Sequence, residues 1–148
     1  MSKVKSASLA AVAGFLVMAA PAYAKEYQVR MLNKGTAGAM VFEPAFVKVA
    51  PGDTVRFVPV DKAHNAEALP SMIPAGAKPF KGKMSEELVV PFTVPGLYGY
   101  KCLPHFGMGM VGLIQVKSVG NKAAVAAEAA KLPGLAKARM AALLPLAK

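Results

Sequence analysis

Three potential metal ligands lie within nine residues of this chain, between two stretches with strand character. Cys102, His105 and Met110 belong to the segment 100–110, with the sequence YKCLPHFGMGM. A chain that brings all three side chains to one centre must form a tight loop at one end of a β-sheet. A thiolate, an imidazole and a thioether are soft or borderline donors, which copper prefers and calcium, magnesium and manganese do not.

One further histidine is available to complete a metal site. His64 lies 38 residues before Cys102 in a polar loop, and the chain contains two histidines and one cysteine in total. Two histidines, one cysteine and an axial methionine are the ligand set of a blue-copper electron-transfer site. The predicted cofactor is therefore one copper ion, and the predicted ligands are His64, Cys102, His105 and Met110.

The loop after Cys102 contains residues that help to bring these donors together. Pro104 restricts the backbone before His105, and Gly107 and Gly109 permit a tight turn. A trigonal site with a weak axial methionine suits both Cu(II) and Cu(I) with little rearrangement. We therefore expect a carrier of single electrons and not an enzyme.

The chain from residue 25 to about residue 120 has the pattern of an all-β domain. Its apolar segments are short, and two of them end at the Pro-Gly dipeptides Pro51-Gly52 and Pro95-Gly96. The predicted strands include residues 27–32, 46–49, 54–58, 88–90, 92–94, 97–101 and 110–116. This pattern indicates a β-sandwich or a barrel. The irregular stretch 61–86 is expected to be functional or to cover one end of it.

The chain after Gly120 changes to alanine, lysine and leucine, which favour helix. The pattern predicts two helices, over Asn121–Lys131 and Leu135–Leu144, with Asn121 as the N-cap of the first. Pro133-Gly134 separates them. The helices could pack on the sandwich or pair with a partner, and packing is the favoured interpretation.

The first 24 residues have the pattern of a secretory signal peptide. Lys3 and Lys5 precede the apolar run Leu9–Ala20, and Ala22-Tyr23-Ala24 has small residues on either side of a tyrosine. This pattern predicts cleavage before Lys25 and export of the protein. The apolar run is too short for a comfortable membrane span, so none is expected. The predicted organisation is a leader over 1–24, a sandwich with the copper site over 25–120, and a helical extension over 121–148.

Basic residues outnumber acidic ones, with 18 Lys and Arg against 8 Asp and Glu. Without residues 1–24, which carry two lysines and no acid, the formal net charge falls from +10 to +8. The basic residues are dispersed, whereas nucleic-acid binding needs a clustered basic face. We therefore expect no nucleic-acid partner. The charge fits steering toward an acidic protein surface, or general solubility.

Several segments of the chain resemble the cupredoxins, and more closely their pseudoazurin branch. They are Met31–Gly35 (MLNKG), Met40–Pro44 (MVFEP), Pro51–Thr54 (PGDT), Asp61–Asn65 (DKAHN), the loop Cys102–Met110 and the helical tail. The resemblance implies an eight-stranded Greek-key β-sandwich with two C-terminal α-helices packed on it. It also implies a type 1 copper site with the four ligands named above, and a supporting role for Asn65 at the cysteine sulfur and between the ligand loops.

The resemblance further implies a periplasmic electron carrier. Electrons would pass through His105, at the centre of an apolar patch to which Met40, Pro104 and Met108 correspond. Four lysines would surround this patch and guide docking onto an acidic rim: Lys34, Lys62, Lys81 and Lys101. The implied partners are redox proteins that bind transiently, chiefly the copper nitrite reductase of denitrification, and we expect a monomer.

Two other classes of protein could use some of the same residues. A periplasmic copper chaperone or storage protein would use similar donors, but such proteins favour exposed clusters of Cys or Met. A thiol enzyme built on Cys102 and His105 would need a thiolate that is open to attack. Structural zinc fits poorly because methionine is an unusual zinc ligand, and two histidines are too few for a multicopper oxidase.

Overall fold

The structure is a computed structural model that describes residues 23–148. The predicted leader lies outside the described residues except for Tyr23 and Ala24. Within the described part, no helix is both long enough and apolar enough to cross a membrane.

Eight strands form two four-stranded sheets in the described part of the chain. They are β1 (Glu26–Gly35), β2 (Gly38–Glu43), β3 (Phe46–Val49), β4 (Thr54–Pro59), β5 (Glu67–Ala68), β6 (Leu88–Pro91), β7 (Gly96–Lys101) and β8 (Val111–Val116). One sheet has the order β2-β1-β4-β6 and the other β3-β8-β7-β5. The β1–β4 and β3–β8 pairs are parallel, and all other neighbours are antiparallel.

Two helices follow the last strand, α1 (Lys122–Ala129) and α2 (Gly134–Leu143). Short 3₁₀ turns occur at Pro70–Met72, Phe106–Met108 and Leu144–Leu146. The predicted all-β, eight-stranded sandwich with two C-terminal helices is thus confirmed.

The central strands of the second sheet, β7 and β8, are buried on both faces. All six residues of β8 are buried. Its nearly continuous apolar sequence is typical of a strand with both faces buried. Ile114 and Val116 face the core between the sheets, whereas Val111 and Leu113 belong to a second core with the helices. The helices contribute four fully or almost fully buried side chains to that second core: Val125, Ala129, Ala136 and Met140. Burial of this apolar surface holds the helical tail on the sandwich.

Asn121 occupies the N-cap position of α1, as predicted, but without the side-chain bond that a cap residue usually supplies. Instead, Asn121 Nδ2 donates to the carbonyl of Leu97 (2.9 Å), and Leu97 N–H donates to Asn121 Oδ1 (2.8 Å). The amide thus pairs with both backbone groups of a strand residue and fixes the start of α1 against β7.

Three strands of the sheets differ from the sequence prediction. Residues 92–94 do not form a strand, because the backbone of Phe92 pairs with the turn at Gly52 and Asp53. Pro91 and Pro95 on either side also lack the N–H donor that a sheet ladder needs. Conversely, two strands were not predicted. They are β2, which pairs with β1, and the two-residue strand β5 in the stretch 61–86, which pairs with β7.

Candidate metal centre

The ends of two neighbouring strands hold one cluster of donor side chains. Cys102 follows β7 directly, Met110 precedes β8 directly, and His105 lies in the loop between them. His64 comes from the loop between β4 and β5. Because β7 and β8 are hydrogen-bonded neighbours, their connecting loop turns back sharply at one end of the sandwich.

Three of the four predicted ligands meet at a single point. Cys102 Sγ lies 3.7 Å from His64 Nδ1 and 3.6 Å from His105 Nδ1, and the two Nδ1 atoms are 3.0 Å apart. All three donor atoms lie within 4.8 Å of one another. Atoms at these separations can all bind one small ion.

Met110 lies beside this cluster in the chain and in the core. It is fully buried and belongs to the same core cluster as Cys102. Its backbone carbonyl accepts from Cys102 N–H (3.0 Å), and its N–H donates to the His105 carbonyl (3.1 Å). The backbone of Met110 is therefore tied to two of the donor residues.

Asn33 orients the ring of His64. His64 Nε2 lies 2.9 Å from Asn33 Oδ1. A carbonyl oxygen only accepts, so Nε2 carries the proton and the lone pair of Nδ1 faces the cluster. Burial is the largest effect that lowers the pKa of His64, and the nearby His105 lowers it further. The lowered pKa keeps the ring neutral. A neutral imidazole with one nitrogen held by a neighbour is the form that binds a metal.

The environment of Cys102 favours a protonated thiol while no cation is present. Burial is the largest effect and raises its pKa, and the charge of Glu67 acts in the same direction. Backbone N–H groups of Asn65 and His105 bond to the sulfur and oppose the rise. These two donors support a sulfur that carries negative charge, so a metal ion that displaces the proton would find its ligand already hydrogen-bonded.

The side chain of Asn65 connects the two loops that carry the donors. Its Oδ1 accepts from Leu103 N–H at 2.8 Å, and its Nδ2 donates to Glu67 Oε2 and to the carbonyl of Gly82, both at 3.2 Å. Asn65 is 2% exposed. The side chain of Asn65 thus connects the ligand loops, and its backbone N–H supports the cysteine sulfur. Both roles are those that the resemblance implies.

The solvent side of the cluster is apolar. His64 and Cys102 are fully buried, whereas His105 is only half-buried. Leu103 and Met108 are 48% and 45% exposed, and Pro104 is also exposed. Among the three clustered donors, His105 therefore offers the shortest route from the interior to the surface.

The four lysines expected around this surface are not equivalent. Lys34, Lys62 and Lys81 are exposed. Lys101 is half-buried, with its Nζ atom 3.5 Å from Glu67 Oε1 and 4.8 Å from the centre of the Phe106 ring. Lys81 Nζ lies 4.0 Å from Glu67 Oε2. Part of the charge of Lys101, and more weakly that of Lys81, is therefore neutralised within the protein, which makes them weaker attractors for a partner than Lys34 and Lys62.

The donor set fits copper. One sulfur and two imidazole nitrogens converge on one point, a methionine lies next to them, and the surrounding backbone donors favour the thiolate. Trigonal Cys/His/His sites of this kind, with a weak methionine, are those of blue-copper proteins.

Comparison with known proteins gives the class. The family of copper-binding proteins described as plastocyanin/azurin matches residues 29–117. The fold and this match show that the chain belongs to the plastocyanin/azurin family, the cupredoxins, and that its cofactor is copper. A pseudoazurin of Paracoccus pantotrophus is 53% identical over 131 residues, which cover 88% of this chain and 90% of the relative.

Solved structures also match this chain, and they indicate which group of cupredoxins it belongs to. The pseudoazurin of Hyphomicrobium denitrificans has a TM-score of 0.78 and 47% identity, covering 83% of this chain and 98% of that one. The pseudoazurin of Methylobacterium extorquens AM1 has a TM-score of 0.79 and 41% identity, covering 82% and 98%. Within the cupredoxins, the chain belongs to the pseudoazurins.

The sequence did not identify three residues that lie near the site: Asn33, Glu67 and Arg139. Asn33 lies inside the MLNKG segment that carries the resemblance, but nothing in that segment points to His64. Glu67 lies in the irregular stretch and is buried between two lysines. Arg139 lies in the helical tail, where local sequence gives no sign of a link to the loops.

Proposed function

We propose that this protein is a type 1 copper electron carrier whose ligands are His64, Cys102, His105 and axial Met110. The observation that carries the proposal is the convergence of one sulfur and two Nδ1 atoms at 3.0–3.7 Å. A bound copper ion supplies a one-electron Cu(I)/Cu(II) couple at that point. The protein supplies a fixed set of donors, because Asn33, Asn65 and the adjoining strands hold them.

His105 is the proposed point of electron entry and exit. Its ring is the half-buried donor, and the apolar residues around it allow close approach of a partner without the cost of desolvating charges. Leu103, Pro104 and Met108 form this docking surface, with Met40 proposed at its edge. A contact of this kind buries little area and separates quickly, as carriers that exchange electrons require.

The exposed lysines near the copper end are proposed to steer acidic partners toward His105. Lys34 and Lys62 contribute most, and Lys81 and Lys101 contribute less because both pair with Glu67. The proposed partner class is a periplasmic reductase, of which copper nitrite reductase is the leading candidate. We propose that the carrier is a monomer that meets such partners transiently.

We propose that residues 1–24 are a leader removed on export to the periplasm. Residues 25–120 then form the copper domain and residues 121–148 the helical extension. Supporting evidence is the signal-peptide pattern together with the exposure of Tyr23 (87%) and Ala24 beside the expected cleavage point. Mass spectrometry of the protein recovered from the periplasm tests this, and a first residue other than Lys25 would refute the cleavage point.

The visible absorption spectrum of the oxidised, copper-loaded protein tests the site. An intense blue or green band from thiolate to Cu(II) is expected. Cys102→Ser should abolish it, because the substitution removes the sulfur from which the charge is transferred. A colourless copper-loaded wild-type protein would refute the type 1 site.

A copper chaperone or storage protein remains the second candidate. Its support is that a soft donor set binds Cu(I) well. The two functions differ in stoichiometry and reversibility: a carrier holds one copper ion through repeated oxidation and reduction, whereas a chaperone releases it to an acceptor. A thiol enzyme is disfavoured because burial raises the pKa of Cys102, the opposite of what activates a nucleophile.

A further inference from the structure

Arg139 on α2 binds backbone carbonyls from two distant parts of the chain. Its Nη1 atom donates to the carbonyls of Met40 (2.7 Å) and Gly109 (3.0 Å), and Nη2 donates to that of Ala39 (2.9 Å). Among residues 23–148, no carboxylate lies within ion-pair distance of its guanidinium. The charge is therefore satisfied by main-chain dipoles, through hydrogen bonds of the stronger, charge-assisted kind.

This contact requires an arginine. One nitrogen serves two carbonyls while its neighbour serves a third, and only the rigid planar fork of a guanidinium presents donors in this arrangement. Helix α2 also packs directly on the loop. A Cβ added to Gly109, whose φ is 85°, would lie 2.8 Å from Leu135 Cβ and 3.1 Å from Arg139 Cδ.

The bound carbonyls belong to residues next to the metal centre and to the proposed docking surface. Gly109 immediately precedes Met110, and its carbonyl also accepts from Val111 N–H at 2.9 Å. Met40 has a φ of 50°, a left-handed conformation that is uncommon for a residue with a side chain. A single side chain thus fixes the backbone in front of the proposed axial ligand and a strained residue of β2.

We propose that Arg139 is a positioning residue of the copper centre, which sets the place of Met110 by holding Gly109 against Met40. The C-terminal helix then supports the site, besides burying apolar surface. The proposal rests on the proposed function in that it takes Met110 as the axial donor. Arg139 does not touch the donor atoms and acts through the loop backbone alone.

Arg139→Met tests this role because it removes the guanidinium and keeps a similar unbranched stem. Lys137→Met is the matched control, since it removes one positive charge from an exposed position of the same helix. The first measurement is amide hydrogen exchange of the copper-free proteins. Arg139→Met should speed exchange at Met110 and Cys102 relative to Leu113 in β8, whereas Lys137→Met should match the wild type.

The second measurement uses the copper-loaded proteins. Arg139→Met should shift the visible bands and lower copper affinity by about tenfold or more, the size of effect that outer partners of ligands show. Arg139→Lys keeps the charge without the fork and should give only partial recovery. If Arg139→Met does not fold, Arg139→Lys is compared with Lys137→Met in the same two measurements.

The proposal is overturned if Arg139→Met and Lys137→Met give the same local exchange and the same spectrum. A loss of global stability with unchanged exchange at Met110 and an unchanged spectrum would also overturn it, because the residue would then only hold the helix. Failure of the wild type to form a type 1 site would instead refute the proposed function. The exchange data on copper-free protein would still decide whether Arg139 positions the loop.

Discussion

The backbone N–H of Leu103 donates a hydrogen bond of 2.8 Å to Oδ1 of Asn65, 38 residues earlier in the chain. Leu103 follows Cys102, and Asn65 follows His64, so this one bond joins the neighbours of two donors. Asn65 N–H also bonds to the sulfur of Cys102. The loop that carries Cys102 and the loop that carries His64 are therefore held together by one residue, Asn65.

Asn65→Ala should lower copper affinity by about 10–100-fold, because the two loops lose their side-chain connection while the backbone donor to sulfur remains. Competition titration with a chelator of known affinity measures the change. Gln28→Ala, at an exposed position of β1, serves as the control and should leave affinity unchanged. Equal affinities for the two variants would contradict a role for Asn65 in holding the loops together.

Met110→Leu should keep copper but raise the reduction potential and alter the visible spectrum. Leucine fills a similar volume, so the fold should lose less than about 1.5 kcal/mol, while the thioether that weakly stabilises the oxidised ion is gone. Protein-film voltammetry and absorption spectra measure both effects. Met108→Leu changes an exposed methionine two residues earlier and should change neither. If Met110→Leu behaves like Met108→Leu, Met110 is not the axial ligand.

Electron transfer to an acidic redox partner should slow as salt is added. The Debye length falls from about 30 Å at 0.01 M to about 8 Å at 0.15 M, which shortens the reach of the exposed lysines. Stopped-flow rates across this range measure the effect. Lys62→Gln should slow the low-salt rate, whereas Lys117→Gln, at the opposite end of β8 from Met110, should not. A bimolecular rate independent of salt would rule out electrostatic steering.

Tyr100→Phe should stabilise the protein by about 1 kcal/mol. The hydroxyl of Tyr100 is fully buried and has no hydrogen-bond partner among the described residues, and such a group costs about 1–3 kcal/mol. Its ring packs against Phe42 and Phe57, contacts that phenylalanine retains. Denaturant unfolding of the copper-free protein measures the change.

Tyr98→Phe is the matched control, because the Tyr98 hydroxyl donates to the carbonyl of Val94 at 2.7 Å. Removing a hydroxyl that has a partner should lower the free energy of unfolding by about 1 kcal/mol. The two substitutions delete the same atom two residues apart with opposite expected signs. Two changes of the same sign would contradict this account of Tyr100.

Asp53 should stabilise the protein at neutral pH and lose that effect in acid. It is 5% exposed, and its carboxylate accepts from the backbone nitrogens of Lys25 and Ala50, both at 2.8 Å. These hydrogen bonds lower the pKa of Asp53, and the bond from Lys25 has the larger effect. The stabilisation is therefore complete above the ordinary aspartate pKa of about 3.9 and is lost as pH falls through the lowered value.

The free energy of unfolding of Asp53→Asn should thus lie below that of the wild type at pH 7, and the gap should shrink at pH 3. Cleavage before Lys25 would turn its amide into an ammonium and widen the neutral-pH gap, so proteins with and without residues 1–24 should be compared. Glu86→Gln, at an exposed carboxylate, is the control. A gap that does not change with pH would contradict the role of the carboxylate charge.

Much of the fold and the donor set could be predicted from the sequence. Each of the strands that became β3, β4, β7 and β8 has a Pro, a Gly or a ligand residue within two positions of at least one end. Turn chemistry of this kind is a local property. The failed strand at 92–94 and the missed strands β2 and β5 have a different origin. Residues 38–43 form β2 by pairing with β1. Phe92 bonds to a turn 40 residues away, and the two residues of β5 form a strand only because β7 lies beside them.

The sequence by itself determined which atoms are available to a metal, since the types and order of the donors are local and no histidine or cysteine is left over. Only the tertiary structure decided how those donors are held. Asn33 selects the tautomer of His64 across 31 residues, and Arg139 reaches Met40 across 99. Such bonds form where the chain folds back on itself. The sequence contains both partners of each bond but does not show that they come into contact.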